Sequence, residues 1–206
     1  MSVALFTTYS AGNAELAALT HPNHEAYATA HGYVRIAEEI PYAAAHLANL
    51  QRIRDLLDRH DYVLSHGSDV LFMNTRWKVT DLDQGEDVTV AREAIGWWPI
   101  NNDVMLWKNS AGARWMLHRL ITAEPEWRDY AWKWQTHLWN VLQSVEFART
   151  ITRLATPREM NATPHAGASQ WQLGDPVLHF VGLPMARRIA MAKEFLRYAG
   201  DGTWKQ

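Results

Sequence analysis

The feature that most constrains the fold is an alternation in the first third of the chain, where short apolar runs are separated by segments with helical spacing. Val3-Ala4-Leu5-Phe6-Thr7-Thr8-Tyr9 reads as a buried strand closed by Ser10-Ala11-Gly12-Asn13. Asn23 to His31 has helical spacing and stops at Gly32, and Tyr33-Val34-Arg35-Ile36-Ala37 predicts a second strand. Leu47 to His60 predicts a helix with Leu50, Ile53 and Leu57 on one face and Arg52, Asp55 and Arg59 off it. Tyr62 to Ser65 is a third strand. The order β-α-β-α-β is the signature of a parallel sheet with crossover helices. Such sheets place their ligand sites beyond the C-terminal strand ends. Thr7-Thr8-Tyr9 and His66-Gly67-Ser68-Asp69 occupy two such ends. Asp69 also stands between two apolar runs, Tyr62-Val63-Leu64 and Val70-Leu71-Phe72-Met73. Burying an unpaired carboxylate there costs several kcal/mol, so it needs a partner or a metal ion.

The second half is less regular. Asp81 to Asp87 is a polar turn, and Val88-Thr89-Val90-Ala91 and Asp103-Val104-Met105-Leu106-Trp107 are expected strands. Ala111 to Thr122 and Glu126 to Phe147 are expected helices, and Asn161 to Gln170 an expected loop. Val177 to Val181 predicts a short strand ended by Gly182. Pro184 opens a last helix whose stripe is Met185, Ile189, Ala192 and Leu196 and which Gly200 closes. At 206 residues, 48% hydrophobic, the chain has material for one domain over 1–206 with a sizeable core. The net charge of −2 gives no global basic field for nucleic acid or membrane, and the lack of cysteine excludes disulfides and thiolate metal sites. No run of 18 apolar residues and no charged leader appears, so a cytoplasmic protein without a membrane anchor is expected. Eleven tryptophans supply flat rings for a core or for stacking on sugars and bases.

Four constellations carry chemistry. Asp69 either caps a turn or binds at a strand end. His179 lies in GDPVLHFVG between Gly174 and Gly182; it is either a satisfied core imidazole or, with a carboxylate, a ligand for an ion such as Mn²⁺. Asn101, Asn102 and Asp103 precede an apolar strand and form either an Asx turn or a polar site. Trp132, Gln135 and Trp139 share a helical face, which is either core or binding surface.

Together these segments resemble GT-A glycosyltransferases, in particular the retaining galactomannan α-galactosyltransferase and xyloglucan α-xylosyltransferase family. NHEAYATAHGY (Asn23–Tyr33) resembles its Asn-x-x-x-Tyr-x-x-x-His-Gly helix, and SHGSDVLFMN its Asp-Ser-Asp-Ala-Leu-Phe metal motif. INNDVMLWKNS resembles its Leu-Asn-Thr-Gly-Val-Phe-Leu-Ile-Arg-Asn-Ser strand, GDPVLHFVG its Gly-Asp-Phe-x-x-His-Phe-x-Gly segment, and WKWQTHLWNVL its Gln-x-x-Leu helix. The resemblance runs from about Val3 to Gly182. It departs at Gly67, where the first Asp of the metal motif stands, and at Asp103, where the strand has Gly. It also departs at Asn49, which replaces a Lys, and after Gly182, where a further Lys is missing. His66 is a candidate to compensate at the metal, and Arg187 or Arg188 to supply charge for phosphate.

The resemblance implies an α/β, GT-A-like (Rossmann-like), mostly parallel central sheet flanked by helices in a single compact domain. It implies a Mn²⁺- or Mg²⁺-dependent transferase that moves a sugar from a nucleotide-sugar, a UDP-sugar, to a hydroxyl acceptor with retention. Asp69 and His179 would hold the metal. Thr7, Thr8, Tyr9, Asn23, Arg52, Ser68 and Gly182 would hold the donor. Asn102, Asp103 and Gln135 would face the sugar, with Gln135 beside the anomeric carbon. Trp97, Trp98, Trp132 and Trp171 would stack on an acceptor. That acceptor is a glycan or a hydroxymethylated base in DNA; DNA would need a groove built from Arg149, Arg153, Arg158, Arg187, Arg188 and Lys193. The remaining alternative is a non-catalytic sugar-nucleotide or carbohydrate-binding domain.

Overall fold

A computed structural model describes residues 1–93, 98–165 and 167–199. β1 (Val3–Tyr9) is followed by α1 (Ala14–His31), which starts well before Asn23. Pro22 lies inside this helix and masks its first turns in the sequence. Gly32 closes α1 in the left-handed conformation, φ 66°, with its N–H on the carbonyls of Ala28 and Thr29. β2 (Val34–Glu39), α2 (Tyr42–Leu57) and β3 (Tyr62–His66) complete the expected β-α-β-α-β unit. β4 (Val70–Phe72), β5 (Val88–Arg92), β6 (Ile100–Lys108) and α3 (Ala111–Thr122) follow, with Ser110 Oγ accepting from the Ala113 N–H at the start of α3.

Where one helix was expected from Glu126 to Phe147, the chain makes three: α4 (Glu124–Trp127), α5 (Lys133–Ser144) and α6 (Glu146–Thr150). The first break falls at Lys133, whose φ of 49° is unusual for a residue with a Cβ. The break also undoes the expected face. Trp132 precedes α5 and is 56% exposed, while the buried face carries Trp134, Gln135, Leu138, Val141 and Leu142. β7 (Thr152–Ala155) was not legible in the sequence, being four residues long with Arg153 in the middle. α7 (Pro157–Met160), β8 (Val177–His179) and α8 (Met185–Phe195) end the described chain, and Gly200, expected to close α8, lies outside the described residues.

Among the described residues, six strands form one sheet in the order β2-β1-β3-β6-β5-β7, and β4 pairs separately with β8. Within the large sheet only β6 runs antiparallel, to β3 on one side and β5 on the other. Alternate residues of β1 serve opposite faces. Ala4 and Phe6 join Leu50, Ile53 and Leu57 of α2, with Met116 and Leu138, on one side. Val3 and Leu5 join Tyr27 and Ala28 of α1 on the other. Trp107 of β6 is fully buried, and its Nε1–H donates to Ser65 Oγ at 3.2 Å. Among the described residues, no helix is long and apolar enough to cross a membrane.

Among the described residues, one edge of β4 has no strand beside it. Polar side chains of α1 take that place. Thr20 Oγ1 donates to the Ser68 carbonyl at 2.8 Å, and His24 Nε2–H to the Val70 carbonyl at 2.7 Å. Asn23 bonds Phe72 twice, its Nδ2 donating to the carbonyl at 2.9 Å and its Oδ1 accepting from the N–H at 2.8 Å. Ser68, Val70 and Phe72 are alternate residues, so the groups a neighbouring strand would meet are met by a helix instead. Asp69 sits in this clamped segment. Replacing Asn23 by Ala strands two backbone groups; the expected loss is roughly 1–3 kcal/mol, read as a lower urea midpoint at unchanged slope.

Candidate functional site

Asp69 is one residue ahead of β4, and His179 is the last residue of β8. The register Val70↔His179 brings the two side by side. His179 Nε2 lies 3.4 Å from Asp69 Oδ2 and 3.2 Å from Asp103 Oδ2. Both are ion-pair distances, but no hydrogen bond forms, and Nε2 is a buried nitrogen without a hydrogen-bond partner. The other ring nitrogen is committed: Nδ1–H donates to Asn161 Oδ1 at 2.6 Å. Asn161 is fully buried and thereby sets which nitrogen faces the carboxylates. Nothing in the sequence marked this residue beyond its place in a loop.

The third member is Asp103, which the resemblance placed beside the sugar and not among the metal ligands. Asp103 joins Asp69 and His179, with one ligand atom from each within 4.8 Å of one another. A bulge puts it there. Between Val90 and Ala91 of β5 the pairing on β6 jumps from Met105 to Asn101, so Asn102, Asp103 and Val104 are extra on that side. Asn101 Oδ1 accepts from the Asp103 N–H at 2.9 Å, the expected Asx bond, and the Asp103 carbonyl accepts from the Gly67 N–H at 2.9 Å. Gly67 and Asp103, both departures from the pattern that the chain resembles, lie against each other. A Cβ on Gly67 would lie 2.6 Å from Asp69 Oδ1 and 3.8 Å from Asp103 Cγ. The Asp103 carboxyl thus borders the space that a side chain at 67 would enter. His66 is not part of the cluster: its ring is packed against His24 (4.5 Å) and Phe72 (5.2 Å) and its Nδ1–H bonds the Gly67 carbonyl. Burial pushes the His66 imidazole down to about 4 and keeps it neutral.

Charge in the cluster is strongly perturbed. Burial alone would expel the proton from His179, but the carboxylates of Asp69 and Asp103 outweigh it and raise the imidazole to about 10. Burial alone would protonate Asp69, but the His179 imidazolium and the Arg188 guanidinium hold its carboxyl down at about 2. Two carboxylates and one imidazole with an unpartnered nitrogen form a donor set that suits Mn²⁺ or Mg²⁺.

The two carboxylates of the cluster, Asp69 and Asp103, line a cavity of about 850 Å³ at the C-terminal strand ends, with His179 buried behind them. Thr8 and Tyr9 of β1, Ser68 of the loop after β3, and Gly182 after β8 line it. Asn102 and Gln135 line it too, and they touch: the Asn102 N–H donates to Gln135 Oε1 at 3.1 Å. Tyr42, Trp98 and Trp132 also line the cavity, with Tyr42 70% and Trp132 56% exposed. Other candidates fall elsewhere. Thr7 is buried inside the sheet, Asn23 clamps β4, and Arg52 pairs with Glu38 at 2.8 Å, so none of the three lines the cavity. Trp171 packs on Phe195 with its Nε1–H on the Asp175 carbonyl, and Trp97 lies outside the described residues. Four of the six basic residues suggested for DNA are engaged within the chain. Arg149 bonds the Gln143 carbonyl, Arg153 pairs with Glu159, Arg158 with Asp175, and Arg188 with Asp69.

No family model and no curated protein sequence matches the chain. Solved structures do match. A glycosyltransferase involved in glycosylation of the major capsid of PBCV-1 superposes with a TM-score of 0.75 at 18% identity, over 94% of this chain and 100% of that one. The galactosyltransferase LgtC, in complex with donor and acceptor sugar analogs, gives 0.53 at 13%, over 98% and 97% of the chains. A variant of Drosophila β1,4-galactosyltransferase 7, in complex with manganese, UDP-Gal and xylobiose, gives 0.52 at 12%, over 91% and 73%. The fold is that of the GT-A glycosyltransferases.

Two predictions come from this geometry. An ion entering the cluster must take the Nε2 position from a proton, since the raised His179 is charged at neutral pH. Binding of Mn²⁺ should therefore release about one proton and tighten as pH rises toward 10, measured by calorimetry in buffers of different ionisation enthalpy. Without the ion the linkage runs the other way. The raised His179 contributes stability that is complete below 6.5 and lost as pH climbs through about 10. The depressed Asp69 contributes stability that is lost as pH falls from 3.8 through about 2. The second prediction concerns the paired departures. Asp103→Asn should weaken Mn²⁺ binding at least roughly tenfold, and adding Gly67→Asp to Asp103→Gly should recover part of the loss by titration calorimetry.

Proposed function

We propose that the chain is a metal-dependent glycosyltransferase that moves a sugar from a UDP-sugar to a hydroxyl of a glycan, with retention. One observation carries the reading: Asp69 and Asp103, clustered with the buried His179, line a cavity of about 850 Å³ at the C-terminal strand ends. That volume suits a nucleotide-sugar. The fold match adds support, because proteins of this fold were solved with UDP-Gal and manganese and with donor and acceptor sugar analogs.

Thr8 and Tyr9, at the end of β1, bind the nucleoside, and Ser68 lies between them and the ion ligands. Asp69, Asp103 and His179 would hold Mn²⁺ or Mg²⁺, which would supply positive charge beside the departing diphosphate. Asn161 keeps His179 in the tautomer that presents Nε2. Asn102 positions Gln135: its N–H occupies one lone pair of Oε1, leaving the second for positive charge developing at the anomeric carbon. The sugar–phosphate C–O bond breaks as the acceptor oxygen forms its bond on the same face, and the acceptor proton goes to the leaving phosphate oxygen. No strong enzymic base is then needed.

Tyr42, Trp98 and Trp132 provide the acceptor end, where exposed rings can stack on pyranose faces. A glycan is favoured over DNA because three of the arginines a DNA groove would use, Arg153, Arg158 and Arg188, are paired within the chain. The test is a panel of UDP-sugars and oligosaccharides with Mn²⁺, followed by UDP release and labelled-sugar transfer. Asp69→Ala should abolish Mn²⁺-dependent turnover, and Gln135→Ala should lower kcat roughly 10²-fold with little change in KM. UDP-sugar binding without turnover under any acceptor would instead identify a non-catalytic binding domain.

A further inference from the structure

The next inference rests on the nucleotide-sugar reading above and adds a role for Arg188. This residue, in the first turns of α8, lines the cavity beside Gly182 and Leu183. Its Nη1 donates to Asp69 Oδ2 at 2.5 Å, and its Nε–H donates to the Leu183 carbonyl at 2.7 Å. Asp69 Oδ1 is turned toward Gly67, close enough that a Cβ there would lie 2.6 Å away. Oδ2 is therefore the oxygen that faces His179 Nε2, at 3.4 Å, and the one an ion in the cluster must take. Arg188 already holds it.

A guanidinium and a divalent ion on one carboxylate oxygen repel each other strongly, because three positive charges would then face only the two negative charges of Asp69 and Asp103. We propose that Arg188 is an exchanging counter-ion. It neutralises Asp69 before the ion enters and transfers to the nucleotide diphosphate once the ion has displaced it. The guanidinium fork suits phosphate oxygens, and its anchor on Leu183 leaves it at the cavity wall. Arg187 is exposed and does not line the cavity, so it cannot make this exchange. Metal and diphosphate are thereby coupled: the ion frees Arg188 for the diphosphate, and the diphosphate gives the displaced Arg188 a partner. By linkage the coupling is equal in both directions.

The experiment measures Mn²⁺ binding to the full chain, with and without UDP, for the wild type, Arg188→Gln and Arg188→Lys. Arg188→Gln should bind Mn²⁺ alone roughly tenfold more tightly than wild type, and UDP in saturating Mn²⁺ roughly tenfold more weakly. Arg188→Lys keeps the positive charge and should stay near wild type for Mn²⁺ alone. If the Gln variant does not fold, Arg188→Met, which keeps the aliphatic stem, takes its place in both measurements. Unchanged or weaker Mn²⁺ binding in the folded neutral variant overturns the exchange and makes Arg188 a fixed support of Asp69. If UDP does not bind the wild type in Mn²⁺, the nucleotide reading and the diphosphate half of the exchange both fail. The Mn²⁺ measurement alone still decides whether Arg188 competes for Asp69.

Discussion

A carboxylate taken out of water must find positive charge, and the arrangement around Asp69 follows from that requirement. Asp69 is 6% exposed. It stays ionised because His179 stands on one side and Arg188 on the other. Each partner comes from a different part of the chain: Asp69 precedes β4, His179 ends β8, and Arg188 begins α8. The C-terminal third of the protein is thus tied to the loop after β3 by electrostatics as well as by the packing of Leu71 and Phe180. Breaking one partner would leave a buried charge exposed to a low-dielectric interior, the costly half of any buried ion pair.

The site also depends on how two irregular segments are held. The loop that carries Asp69 would be free along one edge of β4 if α1 did not place Thr20, Asn23 and His24 against its backbone. The bulge in β6 turns Asp103 toward His179, where a regular strand would alternate it with its neighbours. Lys133 adds a third irregularity, a positive φ at the head of α5, on the cavity wall and two residues before Gln135. Its Nζ donates to the Arg128 carbonyl at 2.6 Å, which ties the break between α4 and α5 together.

The two ends of the cavity differ in chemistry. One end gathers Asp69, Asp103, His179 and Arg188, charges suited to an ion and phosphates. The other presents Tyr42, Trp98 and Trp132, flat and partly exposed, suited to sugar faces. Asn102 and Gln135, joined by a hydrogen bond, line the same cavity.

The sequence by itself determined the parallel half of the sheet. Val3–Tyr9 and Tyr62–His66 are strands because their apolar runs are satisfied between two layers, and the β-α-β connections dictate parallel pairing, with the half-buried Val34–Glu39 added at the edge. It also singled out Asp69 and His179, since a carboxylate and an imidazole inside apolar strands are anomalies visible in one dimension. Only the tertiary structure decided the rest. β7 is too short and polar to signal itself and forms because β5 offers it an edge. Asn23 and Arg52 look like ligands in the sequence, yet the Phe72 backbone and Glu38 had prior claim to them. Asp103 became the third member of the cluster, and Arg188 the counter-charge, through register and helix placement across residues far apart in the chain. Local pattern reports which groups are out of place in water or in a core; only the packed chain settles which of them meet, because that depends on pairings no local window contains.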